Sequence, residues 1–210
     1  MELFFSQMSG NSARAVFALF ESGADWTRRQ VDPRAGETRT PDYLGLNPMG
    51  KIPALRDGAF VLWESNAINW YVAEKHPGAA LLPASLEARA GVQRWQLFQT
   101  GHVSPACFPI FRLNHARMKA FWKSEGDPRA DEVGRKELAR FLPVLESALD
   151  GRAWLEGSFS LADIAFAPHF ALLAETDFDF SPYPRLSAWL QRLLARPAWK
   201  ETARLVFESV

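Results

Sequence analysis

Cysteine is nearly absent from this chain: Cys107 is the single one among 210 residues. One thiol closes no intramolecular disulfide, which excludes a stapled secreted scaffold and suits a reducing compartment. A charge surplus is also missing. Lys plus Arg number 24 and Asp plus Glu number 24, so no net field favours a polyanion and nucleic acid is not an expected partner. Long apolar runs are lacking. The stretch Ile164–Ala174 is the longest nearly uncharged one, far short of the ~20 residues a spanning helix needs. The opening MELFF carries no basic leader and reads as no secretory signal. The four histidines, His76, His102, His115 and His169, show no metal-ligand spacing, so no metal is expected. Phosphate loop, dinucleotide fingerprint and G-x-S-x-G elbow are absent. These gaps describe a soluble, cytoplasmic protein that binds no membrane.

What is present falls into two textures. Residues 1–77 alternate between short strand-like and helix-like runs. ELFF (2–5) is an apolar strand candidate, and Ala13, Val16, Phe17 and Phe20 then recur at helical spacing up to Gly23. WTRRQVD (26–32) reads as a second strand, with Trp26 and Val31 its strongest apolar positions. KIPAL and AFVLWE read as two more, joined at Asp57-Gly58. SNAINWYVAEKH (65–76) is a helix stopped by Pro77-Gly78. Strand, helix, strand, irregular segment, hairpin and covering helix make an α/β, thioredoxin-like plan with a mixed four-stranded sheet. Residues 78–84 read as a linker. Residues 85–210 read as an all-α helical domain, with helices expected over 85–104, 131–150, 160–176 and 184–196. Pro105 and Pro109 should end or kink the first of these.

Several short stretches can carry chemistry, and each has a plainer use. The loop SQMSGNSARAVFAL (6–19) places Ser6, Ser9 and Ser12 before a helix, where a serine can cap or can act. In NPMGKIPAL (47–55), Ile52-Pro53 is either an edge-strand proline or a cis bend that turns the Ile52 backbone toward an extended ligand. In WESNAI (63–68), Glu64-Ser65 falls at a strand-to-helix junction, an anion site or simply an N-cap. In SLADIAFAP (160–168), Ser160 and Asp163 form a capping-box pattern with a structural task. Cys107 has no activating neighbour in sequence and reads as a packed thiol. The eight tryptophans are read mostly as core.

The order of these parts is more specific than any one of them. A strand, a serine loop, NPMGKIPAL, WESNAI, a linker and a helical half with SLADIAFAP together resemble the cytosolic glutathione transferases over essentially the whole chain. That resemblance implies an enzyme with glutathione as co-substrate and a homodimeric assembly. Ile52, before cis-Pro53, would pair its backbone with the cysteinyl unit. Glu64 and Ser65 would hold the γ-glutamyl end, and Lys51 the glycyl carboxylate. Ser160 and Asp163 match a folding-related motif.

Some classes of the family activate the thiol with an early tyrosine, but none precedes Tyr43 here. Against the zeta-type serine-serine-cysteine pattern, Ser9 falls on the catalytic serine and Asn11 on the cysteine. This departs from cysteine-driven thiol exchange. Asn11 and Ser12 stay as alternatives or neighbours on glutathione, and Ser12 is expected to cap the helix.

The chemistry needs only a hydroxyl. A free thiol has pKa about 8.5 and is a few per cent ionised at pH 7. Lowering it by about two units takes ~2.7 kcal/mol. A hydrogen bond to a charged group supplies about 1.5–3 kcal/mol, and a helix N-terminus about 0.3–1.

The expected reaction is conjugation to, or glutathione-dependent reduction of, an apolar electrophile seated between the serine loop and the helical domain. A glutathione-dependent isomerase or dehalogenase, and a non-catalytic binding module, are the other readings of the same family. Phe108, Phe111 and His115 are pocket candidates, or else core or dimer interface.

Overall fold

The computed structural model of the protein describes residues 1–123 and 125–208. They divide into two compact units. One is Met1–Leu81 with the described residues from Pro197 onward, and the other is Leu82–Arg196.

The first unit is built on a four-stranded sheet in the order β2-β1-β3-β4. The strands are β1 (Glu2–Phe5), β2 (Thr27–Gln30), β3 (Ala54–Asp57) and β4 (Phe60–Trp63). β1 and β2 are parallel, in a register running from Glu2↔Thr27 to Phe5↔Gln30. Parallel neighbours need a crossover, which α1 (Gly10–Ser22) provides. β3 is antiparallel to β1 and β4 to β3. Gly58 closes the hairpin at φ 61, a left-handed conformation that glycine adopts without steric cost.

Both faces of the sheet are covered. Phe4, Val31, Tyr43 and Ala54 pack together on one face with Leu46 and Ile52 beside them. Tyr43 and Leu46 belong to α2 (Pro41–Leu46), a short helix inside the stretch expected to be irregular. Alternation sends Leu3, Phe5 and Leu55 to the opposite face, where they are also buried. α1 packs extensively on α3 (Ser65–Lys75).

The end of the chain corrects the expected domain boundary. The helical reading placed all of 85–210 in one domain, but α10 (Pro197–Ala203) and the wide turn Arg204–Glu208 belong to the first unit. Apolar packing explains it. Trp199 meets Phe17 of α1 edge-on at 5.4 Å, and Val206 and Phe207 are buried beside it. Helical periodicity marks a helix but does not say which unit it packs on.

The second unit contains α4 (Leu86–Phe98), α5 (Ser104–Asn114), α6 (Ala116–Trp122), α7 (Pro128–Ala148), α8 (Leu161–Ala174) and α9 (Pro184–Ala195). Pro105 does not stop the first helical run. The chain widens into a loose turn over Gln99–Val103 and continues as α5, with Pro105 in its first turn, where a missing N–H is tolerated. α8 is apolar on nearly every side and buried accordingly. Trp95, Phe170 and Trp189 each make a ring contact with Phe166.

At the start of α8, Ser160 and Asp163 form a complete capping box. The Asp163 carboxylate also accepts from Leu155 N at 3.1 Å and Trp189 Nε1 at 2.8 Å. Burial pushes this carboxyl up to about 6 against the pull of its N–H donors. Cys107 is fully buried, and burial pushes its thiol up, so it stays protonated and inert.

Candidate functional site

The serine loop joins β1 to α1, and its three hydroxyls have separate tasks. Ser9 sits in extended backbone as the N-cap of α1, its Oγ accepting from Ser12 N at 3.2 Å. The cap expected of Ser12 therefore belongs to Ser9. Ser12 is fully buried, and its own Oγ accepts from Ser6 N at 3.1 Å. That contact braces the loop and removes Ser12 from the surface that could meet a ligand. Ser6 is buried too and donates to the Gln7 carbonyl at 3.2 Å.

Ser9 thus spends a lone pair on the cap, and its O–H has no acceptor among the described residues. An oxygen that already accepts a hydrogen bond is the better donor for it. Ser9 is 9% exposed, enough for the hydroxyl to reach one outside group. The helix it caps adds a positive N-terminal dipole at the same point.

The bend before β3 is held from behind. Ile52-Pro53 is cis, and Ile52 lies outside the β3 ladder. The carbonyl of Lys51 accepts from Tyr43 Oη and from Asn47 Nδ2, each at 2.7 Å, while Asn47 Oδ1 takes Met49 N at 3.0 Å. Burial pushes the Tyr43 phenol up, so it stays a donor. Gly50 has φ 59, and a Cβ there would lie 2.6 Å from Arg39 Nη1 and 2.9 Å from the Thr38 carbonyl, so only glycine fits. Arg39 Nη1 also donates to the Met49 carbonyl at 3.3 Å. Two exposed cations, Arg39 and Lys51, therefore flank the bend. Arg39 is a residue that the sequence reading missed.

At the third corner, Glu64 connects β4 to α3 with φ 71 and ψ 112. A non-glycine residue held there costs about 1–3 kcal/mol, a strain that concentrates at functional turns. Glu64 makes no side-chain cap. Ser65 is the first residue of α3, not its cap, and its Oγ accepts from Arg14 Nη1 at 2.8 Å. The same guanidinium nitrogen reaches Asn11 Oδ1 at 3.2 Å.

Arg14 is the most informative residue the sequence reading left out. Its side chain is fully inside the unit. Burial pushes its pKa down to about 9, while the Glu64 carboxylate acts in the opposite direction, so it is a cation at neutral pH. A buried charge is costly unless an opposite charge answers it. The Glu64 carboxylate does so in part, and the Ser65 hydroxyl that the guanidinium holds opens the N-terminal turn of α3, a place that favours an anion. The signal was legible: Arg14 is the single charge in the apolar run 12–19.

The helical unit sorts the three pocket candidates. Phe111 and His115 are buried. Phe111 packs on the His169 ring, and His115 caps α6 through Nδ1 while Nε2 faces Glu175 at 3.3 Å. That contact, with help from Arg117, pulls the Glu175 carboxyl down to about 2. These two residues belong to the core. Phe108 is 46% exposed and lines a cavity of about 540 Å³ with Pro105, Pro109 and Arg112. Among the described residues there is no cluster of three or more His, Cys, Asp or Glu fit for a metal, and no helix long and apolar enough to cross a membrane.

Known proteins resemble this chain over nearly its whole length. Residues 8–75 match the model of the glutathione S-transferase N-terminal domain, and residues 108–197 that of its C-terminal domain. Glutathione S-transferase 3 of Zea mays is 34% identical over 98% of this chain and 94% of its own length. Among solved structures, glutathione transferase F7 from Populus trichocarpa superposes with TM-score 0.88 at 30% identity, covering 97% of each chain. The theta class glutathione S-transferase of Xanthomonas axonopodis pv. citri, solved with glutathione bound, gives TM-score 0.86 at 30% identity over 98% of this chain and 96% of that one. About a third of the residues retained across both units, in order and nearly end to end, is more than a shared fold requires, and the chain belongs to the glutathione S-transferase family.

Proposed function

We propose that this protein is a glutathione transferase of the serine type, with Ser9 stabilising the thiolate of glutathione for attack on an apolar electrophile. Glutathione would lie extended across the first unit. Its cysteinyl amide would pair with the Ile52 backbone next to Pro53. Its γ-glutamyl carboxylate would rest on Ser65 and the start of α3, with Arg14 behind. Lys51 and Arg39 would meet the glycyl carboxylate, and Asn11 would border the site from the first turn of α1.

The observation that carries this reading is the Arg14–Ser65 contact at 2.8 Å. A fully buried cation polarises a serine hydroxyl at a helix start, where a carboxylate would be favoured. Ser9 needs no general base. Its hydrogen bond and the α1 terminus together reach the ~2.7 kcal/mol that two pKa units demand.

A homodimer in a reducing cytoplasm fits the exposed aromatic side chains of the edge strand β4, Phe60 and Trp63, and the single buried thiol. The direct test is retention on immobilised glutathione, with elution by free glutathione. Passage through the column, with no binding of the free tripeptide at millimolar concentration, would overturn the reading.

A further inference from the structure

Ser9 is held by more than its own helix. The residue before it, Met8, has φ 51 and is fully buried. A left-handed conformation costs a non-glycine residue about 1–2 kcal/mol and persists only where its surroundings impose it. Part of that constraint comes from the far end of the chain. Met8 N donates to the Val206 carbonyl at 2.9 Å. Val206 is itself buried, and Phe207 beside it packs on Trp199 at 6.2 Å, which in turn meets Phe17 of α1.

The loop is therefore tied at three points. Ser6 N is bonded to Ser12 Oγ, Ser12 N to Ser9 Oγ, and Met8 N to Val206 O. The first two stay within residues 6–12. The third joins residues almost two hundred positions apart, and its geometry depends on how firmly the turn Arg204–Glu208 is seated.

We propose that the turn Arg204–Glu208 positions Ser9 by holding Met8 in its left-handed conformation, so that Val206 and Phe207 are positioning residues for thiol activation. The inference rests on the role given above to Ser9. With the turn loosened, Met8 relaxes toward ordinary backbone and the Ser9 hydroxyl moves off the line to the sulfur. Ser65, Arg14 and Ile52 stay in place. Loss should therefore appear in thiolate formation and turnover, not in glutathione affinity.

The test compares Phe207→Ala and Phe207→Leu with the unaltered protein, following the pH dependence of kcat/KM, kcat, and KM for glutathione. Phe207→Ala should move the pH profile toward the free thiol's pKa of about 8.5 and lower kcat about five- to tenfold, with KM within about twofold. Phe207→Leu should recover most of the loss. A folded Phe207→Ala with unchanged profile and kcat overturns the proposal, as does a loss that falls on KM alone.

Amide exchange in the unaltered protein gives a check independent of any variant. The Met8 N–H should be strongly protected, and rapid exchange there overturns the proposal even if Phe207→Ala does not fold. Ser9→Ala measured in parallel separates two failures. If Ser9→Ala is impaired and Phe207→Ala is not, the positioning role fails alone. If neither is impaired, the role of Ser9 falls first.

Discussion

Both units begin a buried helix with a serine. In the first, Ser9 caps α1, accepting from Ser12 N at 3.2 Å. In the second, Ser160 caps α8, accepting from Ala162 N at 3.2 Å. Both serines cap through the side-chain oxygen, Ser9 to the third residue on and Ser160 to the second, and the surroundings differ. Ser160 has an acid three residues on, and Asp163 returns a bond to Ser160 N at 3.0 Å while facing the serine hydroxyl. That box is closed on itself and buried. The equivalent place after Ser9 holds Ser12, whose oxygen is turned away to Ser6 N, so no carboxylate claims the Ser9 hydrogen. A capping serine becomes available for chemistry when its reciprocal acid is missing and one side stays open.

The largest effect is expected at Asp163. Asp163→Ala would orphan N–H groups of Leu155, Ser160 and Trp189 and should lower unfolding free energy by about 3 kcal/mol or more, read from denaturant midpoints. Affinity for glutathione in the protein that remains folded should not change. A large loss of affinity would mean that the second unit's serine box is part of the site.

Asp163 also sets a pH slope. Its folded pKa, about 6, lies above the unfolded value of 3.8, so its contribution to stability is full below pH about 4 and is lost as pH rises through about 6. The slope contributed by this group between those values should vanish in Asp163→Ala.

Next comes Ser65→Ala, which removes the hydroxyl that Arg14 polarises. KM for glutathione should rise about tenfold, a loss of ~1.4 kcal/mol, with kcat altered much less. A normal KM would detach Ser65 and Arg14 from the anion site. The smallest effect is expected for Ser160→Ala. A lost cap costs about 1 kcal/mol of stability, and turnover at saturating substrate should be unchanged.

Much of this is legible in the sequence, for local reasons. Apolar runs, the period-3.6 stripe of α1, the Asp57-Gly58 turn and the Pro77-Gly78 stop mark the four strands, α1 and α3 in order, though not α2 or α10. The capping box at Ser160 is written in four residues. What was not legible depends on distant contacts. Arg14 stands out in sequence as a lone charge in an apolar run, but the partner that explains it, Ser65, lies fifty-one residues away. Phe111 and His115 carry the same residue types as a pocket wall, and only packing shows them to be core. The turn Arg204–Glu208 falls in the half expected to form one helical domain, yet its docking on the first unit rests on Trp199, Val206 and Phe207 finding α1 and Met8. The assignment of the cap to Ser12 failed for a similar reason. Serines spaced by three offer two equivalent caps until Ser6 N claims one of them.

The central claim is that Ser9, freed from a reciprocal acid, holds the sulfur of glutathione as thiolate. The ultraviolet absorbance of bound thiolate, titrated with pH in the unaltered protein and in Ser9→Ala, tests it most directly. The account predicts a bound thiol pKa about two units below the free value in the unaltered protein, returning by about one to two units in Ser9→Ala, with turnover falling about 10–100-fold. Equal thiolate titrations in the two proteins would contradict it.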